Sequence, residues 1–344
     1  MTEEHTLGDL GERRIVREIL PQYCEEAGDD CAAVRADKDL IAITTDPVPE
    51  PAAKVIGGDS DLYWMGWLLV TINLSDIAAA GARPVAFVAA VDAPATLKVT
   101  EFERLLSGIR DSCQTHGTKY VGGNLRESLK LSATGTAIGI CETGQPLSRS
   151  GAAVGDTIVS VGHGGRFWRD AMAIRAGRLV AEKDASPLFK PIAQVAAMRR
   201  LHGQGFITAA MDNSDGLVAS LEQFAITSEC TAELDIEALR LGETGSQQLS
   251  DDNARYWLGW GDWNVIGTVP WIRLAEAVRF AEKNGDVLIP IGRIVDTVPR
   301  VQLRGKRETI LAPRIESERF AKDSWFSTGI ESYIEMLMGV ALPN

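Results

Sequence analysis

Six aspartates carry the chemistry open to this sequence: Asp29, Asp30, Asp46, Asp76, Asp212 and Asp215. They lie in short pieces rich in Gly, Ser and Thr, namely Gly28-Asp29-Asp30, Thr44-Thr45-Asp46, Asn73-Leu74-Ser75-Asp76 and Asp212-Asn213-Ser214-Asp215-Gly216. Such neighbours let backbone groups and hydroxyls reach a ligand. One piece of this kind is an ordinary turn or helix cap. Four in one chain ask for a common cause. If the fold gathers them, their mutual repulsion is relieved by cations, and divalent ions that bridge carboxylates to a polyphosphate are the usual solution.

The elements that must position these residues follow from periodicity and breakers. The apolar run Trp64-Met65-Gly66-Trp67-Leu68-Leu69-Val70 leads into Asn73–Pro84, which reads as a buried helix stopped by Gly81 and Pro84. Asn73 and Asp76, three residues apart, share one face of it, and an Asp there is costly unless something pairs with it. Ala78, Ala79 and Ala80 leave a stripe for a closely packed neighbour, a partner subunit being one candidate. Leu40–Asp46 and Thr208–Asp212 read as strands that end in carboxylates, where α/β folds place ligand chemistry. Further strands are expected at Pro84–Val91, at Tyr120–Asn124 ending in a turn, and at Leu131–Cys141, Gly155–Gly162, Trp263–Val269 and Val287–Ile294. Helices are expected at Leu7–Leu20, Val99–His116 and Val218–Ser228, with a docked terminal helix within Arg319–Asn344. Pro47–Pro51 reads as a loop, a candidate lid.

At 344 residues the chain is long enough for about two domains, each with its own core, and a boundary is expected near Gly144-Gln145-Pro146, giving domains 1–146 and 147–344. A net charge of -12 argues against nucleic-acid partners and anionic membrane surfaces, both of which need clustered Lys and Arg. No apolar run reaches the ~20 residues that cross a bilayer, and Met1–Arg13 is polar where a signal peptide would be apolar, so a cytoplasmic protein is expected. The 5 cysteines and 4 histidines show no zinc spacing, which leaves oxygen ligands and a hard ion such as magnesium. There is no GxxxxGK[ST] phosphate loop, Gly162-His163-Gly164-Gly165 does not complete GxGxxG, and Ser214 lacks the leading Gly of a nucleophile elbow.

Taken in order, Gly28-Asp29-Asp30-Cys31-Ala32-Ala33-Val34, Thr44-Thr45-Asp46, Asn73–Pro84, Gly122-Gly123-Asn124, Arg149-Ser150-Gly151-Ala152 with Gly155-Asp156, and Ser214-Asp215-Gly216-Leu217 resemble the signature segments of the thiamine-monophosphate kinases, within the superfamily of aminoimidazole ribonucleotide synthetase. The resemblance spans about Leu10 to Ile294. It implies a two-domain α/β (α+β) protein with mixed sheets, N-terminal domains paired in a homodimer, ATP held between domains, and Mg2+ on aspartates. The implied metal ligands are Asp30, Asp46, Asp76 and Asp212, with Asp29 and Asp215 secondary and Thr44 and Thr45 offering oxygen beside the metal. Gly122, Gly123, Asn124, Arg149, Thr45 and Ser214 fall to the nucleotide, and Asp212 and Asp215 to the reaction itself. The implied reaction is phosphoryl transfer from ATP to a small-molecule acceptor, without a covalent intermediate.

The chain also departs from the family pattern. Asn124 stands where the family has Asp, and Gly259-Trp260-Gly261-Asp262-Trp263-Asn264-Val265 replaces a Gly-Gly-Glu-Asp-Tyr-Glu-Leu segment on the acceptor side, so both Glu positions are gone. The His-Phe pair expected after Asp46 is absent as well. Trp257, Trp260, Trp263 and Trp271 cluster in sequence around the altered segment, as packing or as a stacking wall for a planar acceptor. Two alternatives stay open: an ATP-using relative that activates a carbonyl or carboxyl oxygen of another molecule, and a nucleotide-binding regulator that has lost catalysis.

Overall fold

The computed structural model describes residues 6–24, 28–178, 180, 182–241, 249–315, 320 and 328–344. The apolar run before Asp76 forms an 18-residue helix, Leu62–Ala79, and the polar residues Thr71, Asn73, Ser75 and Asp76 are buried in it along with the apolar ones. Asp61 caps its first turn by accepting from Tyr63 N at 3.0 Å. Gly81, at φ +65°, ends it in the left-handed conformation that favours glycine. The helix is long and apolar enough to cross a membrane, but 83% of it is buried inside the protein, which makes it a core helix.

Two sheets flank it. The first has the order β1-β2-β5-β3-β4, with β1 Ala32–Ala36, β2 Asp39–Pro47, β3 Arg83–Ala93, β4 Tyr120–Glu127 and β5 Ser132–Ile140. Only β3 and β4 run parallel, and the crossover between them is the helix Val99–Thr115. The second sheet has the order β12-β11-β8-β10-β6-β9-β7, with β6 Asp156–Val161, β7 Ala209–Asp212, β8 Thr231–Asp235, β9 Val265–Pro270, β10 Leu288–Asp296, β11 Arg300–Arg304 and β12 Thr309–Leu311. Residues Gly144–Pro146 fall between β5 and β6.

The expectation of a separate core in each half is not met. The central helix packs on β2, β3 and β5 of the first sheet and on β7 and β9 of the second, so one apolar cluster joins Leu69, Leu74 and Ile77 to Val161, Met198 and Val265. The alanine stripe is filled within the chain: Ala78, Ala79 and Ala80 are buried against the helix Val195–Gly203, whose His202 ring lies where a Cβ on Gly81 would fall. The helix also meets Val99–Thr115 backbone to backbone. A Cβ on Gly66 would stand 2.1 Å from Leu105 O, and one on Gly108 would stand 2.1 Å from Tyr63 O.

Three local expectations are corrected. Leu7–Leu20 is not one helix: Gly11, at φ +76°, divides it into short turns that bury no side chain. The strand at Tyr120 does not turn at Gly122–Asn124 but continues to Glu127, because Gly123 lets the Ala89 carbonyl of β3 come closer than any Cβ would allow. The loop expected at Pro47–Pro51 is one residue shorter: Pro47 is the last residue of β2, and Val48–Pro51 is the loop, with Pro51 as the N-cap of a short helix, Ala52–Val55. Helix Ile330–Met338 docks through Tyr333, Ile334 and Leu337, while most of the expected tail before it lies outside the described residues.

Candidate metal and nucleotide site

Strand alternation puts Thr44 and Asp46 on the face of β2 that meets the central helix and turns Thr45 the other way. The Thr44 hydroxyl donates to Asp76 Oδ2 at 2.6 Å, and Asp46 N donates to Asn73 Oδ1 at 3.0 Å. One turn of helix is thereby fixed to the end of β2. On the other side, the Ser75 hydroxyl donates to Asp212 Oδ2 at 3.1 Å, so the same turn reaches the end of β7 in the second sheet. Ser214 donates to the other Asp212 oxygen at 3.0 Å. Asp30, in the turn before β1, completes the set: one carboxylate oxygen from each of Asp30, Asp76 and Asp212 lies within 4.8 Å of the others.

Burial sets the electrostatics. The Asp76 carboxyl is held well above the usual carboxylate range by loss of solvent first, then by the charges of Asp212, Asp46 and Asp30, against the opposing bond from Thr44. Asp212 is pushed up to about 7 by burial and by Asp30, while Arg149 and the Ser214 hydroxyl pull the other way. Asp30 is also raised by burial, although the Arg149 guanidinium donates to its Oδ1 and lowers it in part. Among the described residues the set faces one half-buried cation, Arg149, against three carboxyl groups. All its donor atoms are hard oxygens, which suits a divalent ion such as magnesium and does not suit zinc.

The structure does not bring every expected residue to this point. Asp29 is exposed and accepts from Arg149 N at 2.8 Å, tying its turn to the segment after β5. Arg149, expected at phosphates, is paired with Asp30. Asp215 is half-buried on the turn after β7, close enough for its charge to raise Asp212. Thr45 is exposed on the far face of the first sheet, where its hydroxyl donates to Gly135 O at 2.9 Å, so its side chain does not enter the cluster. Gly122, Gly123 and Asn124 lie on the edge strand β4. The register Asp46↔Gly135, Ala89↔Gly135, Ala89↔Gly123 sets Gly123 level with Asp46 but three strands away, roughly 14 Å. A cavity of about 940 Å³ between helix Val99–Thr115 and β4, lined by Ser107, Arg110, Gln114, Lys119, Tyr120 and Val121, opens beside Gly122.

Gly162–Gly165 is a turn into helix Arg166–Arg175, and the start of that helix is filled by the chain's own Asp262, which accepts from Gly165 N at 2.7 Å and Phe167 N at 2.8 Å. The four tryptophans do not form one group. Trp257 covers Gly164 and Gly165, Trp260 packs with Phe167, Trp168 and Tyr333, Trp263 has φ +55°, and Trp271 is 69% exposed on another element. The residue that sequence reasoning missed is Ser75. Its signal was its place beside Asp76, one helical step of about 100° round, which turns it toward the second sheet.

The family model for "AIR synthase related protein, N-terminal domain" matches residues 28–141. The thiamine-monophosphate kinase of Halobacterium salinarum is 32% identical over 294 residues, which are 86% of this chain and 96% of that one. This chain belongs to the thiamine-monophosphate kinase family. The Escherichia coli K12 member is 31% identical over 71% of this chain and 75% of its own. Among solved structures, the thiamine-monophosphate kinase of Stenotrophomonas maltophilia has a TM-score of 0.69 at 27% identity, covering 82% of this chain and 90% of that one. The fold is shared with "AaThiL complexed with AMPPCP and TMP", at a TM-score of 0.72 and 24% identity over 89% of this chain and 97% of that one.

Proposed function

We propose that this protein transfers the terminal phosphoryl group of ATP to thiamine monophosphate in the presence of Mg2+, giving thiamine diphosphate and ADP. The observation that carries the reading is the meeting of Asp30, Asp76 and Asp212, from three distant segments, in a chain of this family. Asp30, Asp76 and Asp212 would hold Mg2+, with Asp46 and Asp215 at the margin and the Thr44 hydroxyl steadying Asp76. The ion would supply charge neutralisation to the phosphates. Arg149, once Asp30 has a metal to face, is free to offer its guanidinium to the same phosphates.

The chain's own residues position rather than react. An oxygen of the acceptor's phosphate forms a bond to the γ-phosphorus as the bond from that phosphorus to the bridging β,γ-oxygen breaks, and the electron pair leaves with ADP. No side chain needs to form a bond. Incubation with ATP, Mg2+ and thiamine monophosphate tests this: ADP and thiamine diphosphate should appear together. ADP formed at the same rate without thiamine monophosphate points to another acceptor, and ATP bound without turnover points to a regulator.

Residues 1–146 and 147–344 are proposed as the two domains, and the active form as a homodimer joined through the first sheet. Support for the dimer lies on that sheet's outer face, where Ile41, Ile43, Val88, Ile138 and Ile140 are only half-buried while the inner positions Ala42, Phe87, Ala89 and Ala137 are buried. Sedimentation equilibrium should give a dimer, and Ile43→Glu with Ile138→Glu should give a monomer.

A further inference from the structure

Beyond the metal cluster, Asn264, the residue just before β9, is tied into the buried core. β7 and β9 pair up to Asp212↔Val265, and one more rung follows, Asn213 N donating to Asn264 O at 3.0 Å. Their side chains continue the link. Asn213 Nδ2 donates to Asn264 Oδ1 at 2.9 Å, Asn264 Nδ2 donates to Ser160 Oγ at 2.7 Å, and Ser160 Oγ donates to Gly162 O at 2.8 Å. Ser220, in helix Leu217–Thr227, donates to Asn213 Oδ1 at 3.3 Å. All four side chains are buried, Asn264 and Ser160 completely. In this chain of bonds both amide oxygens accept and both amide nitrogens donate, so neither amide can flip without leaving a buried group unpaired.

Asn213 stands between Asp212 and Ser214, and the hydroxyl of Ser214 bonds Asp212. Fixing the Asn213 side chain in the core therefore fixes the direction in which Asp212 leaves the strand. We propose that Asn264, working through Asn213, is a positioning residue for the metal cluster: the buried chain Ser160–Asn264–Asn213 holds Asp212 at its distance from Asp30 and Asp76. The inference rests on the metal role proposed above. A ligand aimed by a second layer of hydrogen bonds loses affinity when that layer is removed.

The test is Asn264→Ala in the full chain, with Ser160→Ala as the milder second variant, each assayed at the same interval below its own melting temperature. Mg2+ binding is read without nucleotide, by calorimetry, and turnover is read as kcat and KM separately. Asn264→Ala should weaken Mg2+ by about tenfold or more and lower kcat, leaving KM for the acceptor within about twofold; Ser160→Ala should move in the same direction by a smaller factor. A lowered melting temperature with unchanged Mg2+ affinity and kcat in both variants would overturn the proposal. Hydrogen exchange separates this failure from that of the metal reading. If the unsubstituted protein binds no Mg2+, the metal reading falls. The positioning role then stands only if exchange at residues 212–216 quickens about tenfold in Asn264→Ala while residues 73–76 keep their rate; equal exchange overturns it.

Discussion

Asp212→Asn should stabilise the metal-free protein at about pH 8 and abolish its response to Mg2+. The Asp212 carboxyl titrates at about 7 against an ordinary value of 3.8, a difference of roughly 3 units. At 1.36 kcal/mol per unit, holding the group ionised in place costs roughly 4 kcal/mol. An amide removes that cost. It also offers one acceptor oxygen where the carboxylate offers two, so either Ser75 or Ser214 loses its acceptor, at a cost of about 1 kcal/mol. A net gain of roughly 2–3 kcal/mol remains, worth several degrees in melting temperature for a chain of this size. Calorimetric melting in EDTA and in magnesium chloride reads both effects. The unsubstituted protein should melt lower in EDTA and rise with Mg2+, and the variant should melt higher in EDTA and barely move. A variant that melts below the unsubstituted protein in EDTA, or that keeps the full Mg2+ shift, would refute the reasoning.

The pH dependence follows from the same group: its folded-state pKa is raised, so its stabilising contribution is complete below the ordinary value of 3.8 and is lost as pH rises toward about 7. The melting temperature of the unsubstituted protein minus that of Asp212→Asn, in EDTA, should fall across that window, and a rising difference would contradict it. His116 works with the opposite sign. Burial lowers it to about 4 from 6.5, and its Nε2 accepts from Ala193 N at 3.0 Å, so its contribution is present above 6.5 and is lost as pH falls toward about 4. His116→Ala should cost about 1–3 kcal/mol near neutrality and flatten the acid side of the stability curve, as urea unfolding at several pH values would record. Gly108→Ala puts a methyl 2.1 Å from Tyr63 O and should cost about 1–3 kcal/mol or more; an unchanged urea midpoint would mean that the two helices are not in contact there.

Much of the fold was legible because the carboxylate-bearing segments are also strong local signals. Thr44-Thr45-Asp46 ends a run of alternating residues, and Asn73–Asp76 ends an apolar helix closed by Gly81, so strand, helix and stop could be read from periodicity and one glycine. What could not be read were contacts made at long range. The run Thr231–Asp235 is too short and too evenly buried to alternate, so β8 was not expected, although it lies inside the second sheet between β11 and β10. Asn213 and Asn264 carry no local signal at all. Each is an amide beside a more conspicuous residue, and their pairing exists only because β7 and β9 lie side by side.

The central helix carries one further consequence. Within a single turn, Asn73 and Asp76 hold the end of β2 in the first sheet and Ser75 holds Asp212 at the end of β7 in the second. The buried carboxylates repel, while the hydroxyls and amides of that turn set their spacing. A shift of either sheet along the helix would therefore strain these hydrogen bonds and change the distance from Asp76 to Asp212. This explains why a costly Asp stands in so apolar a helix. It is placed where the two halves of the chain meet, so a cation held by Asp30, Asp76 and Asp212, as proposed, would bind both halves at once.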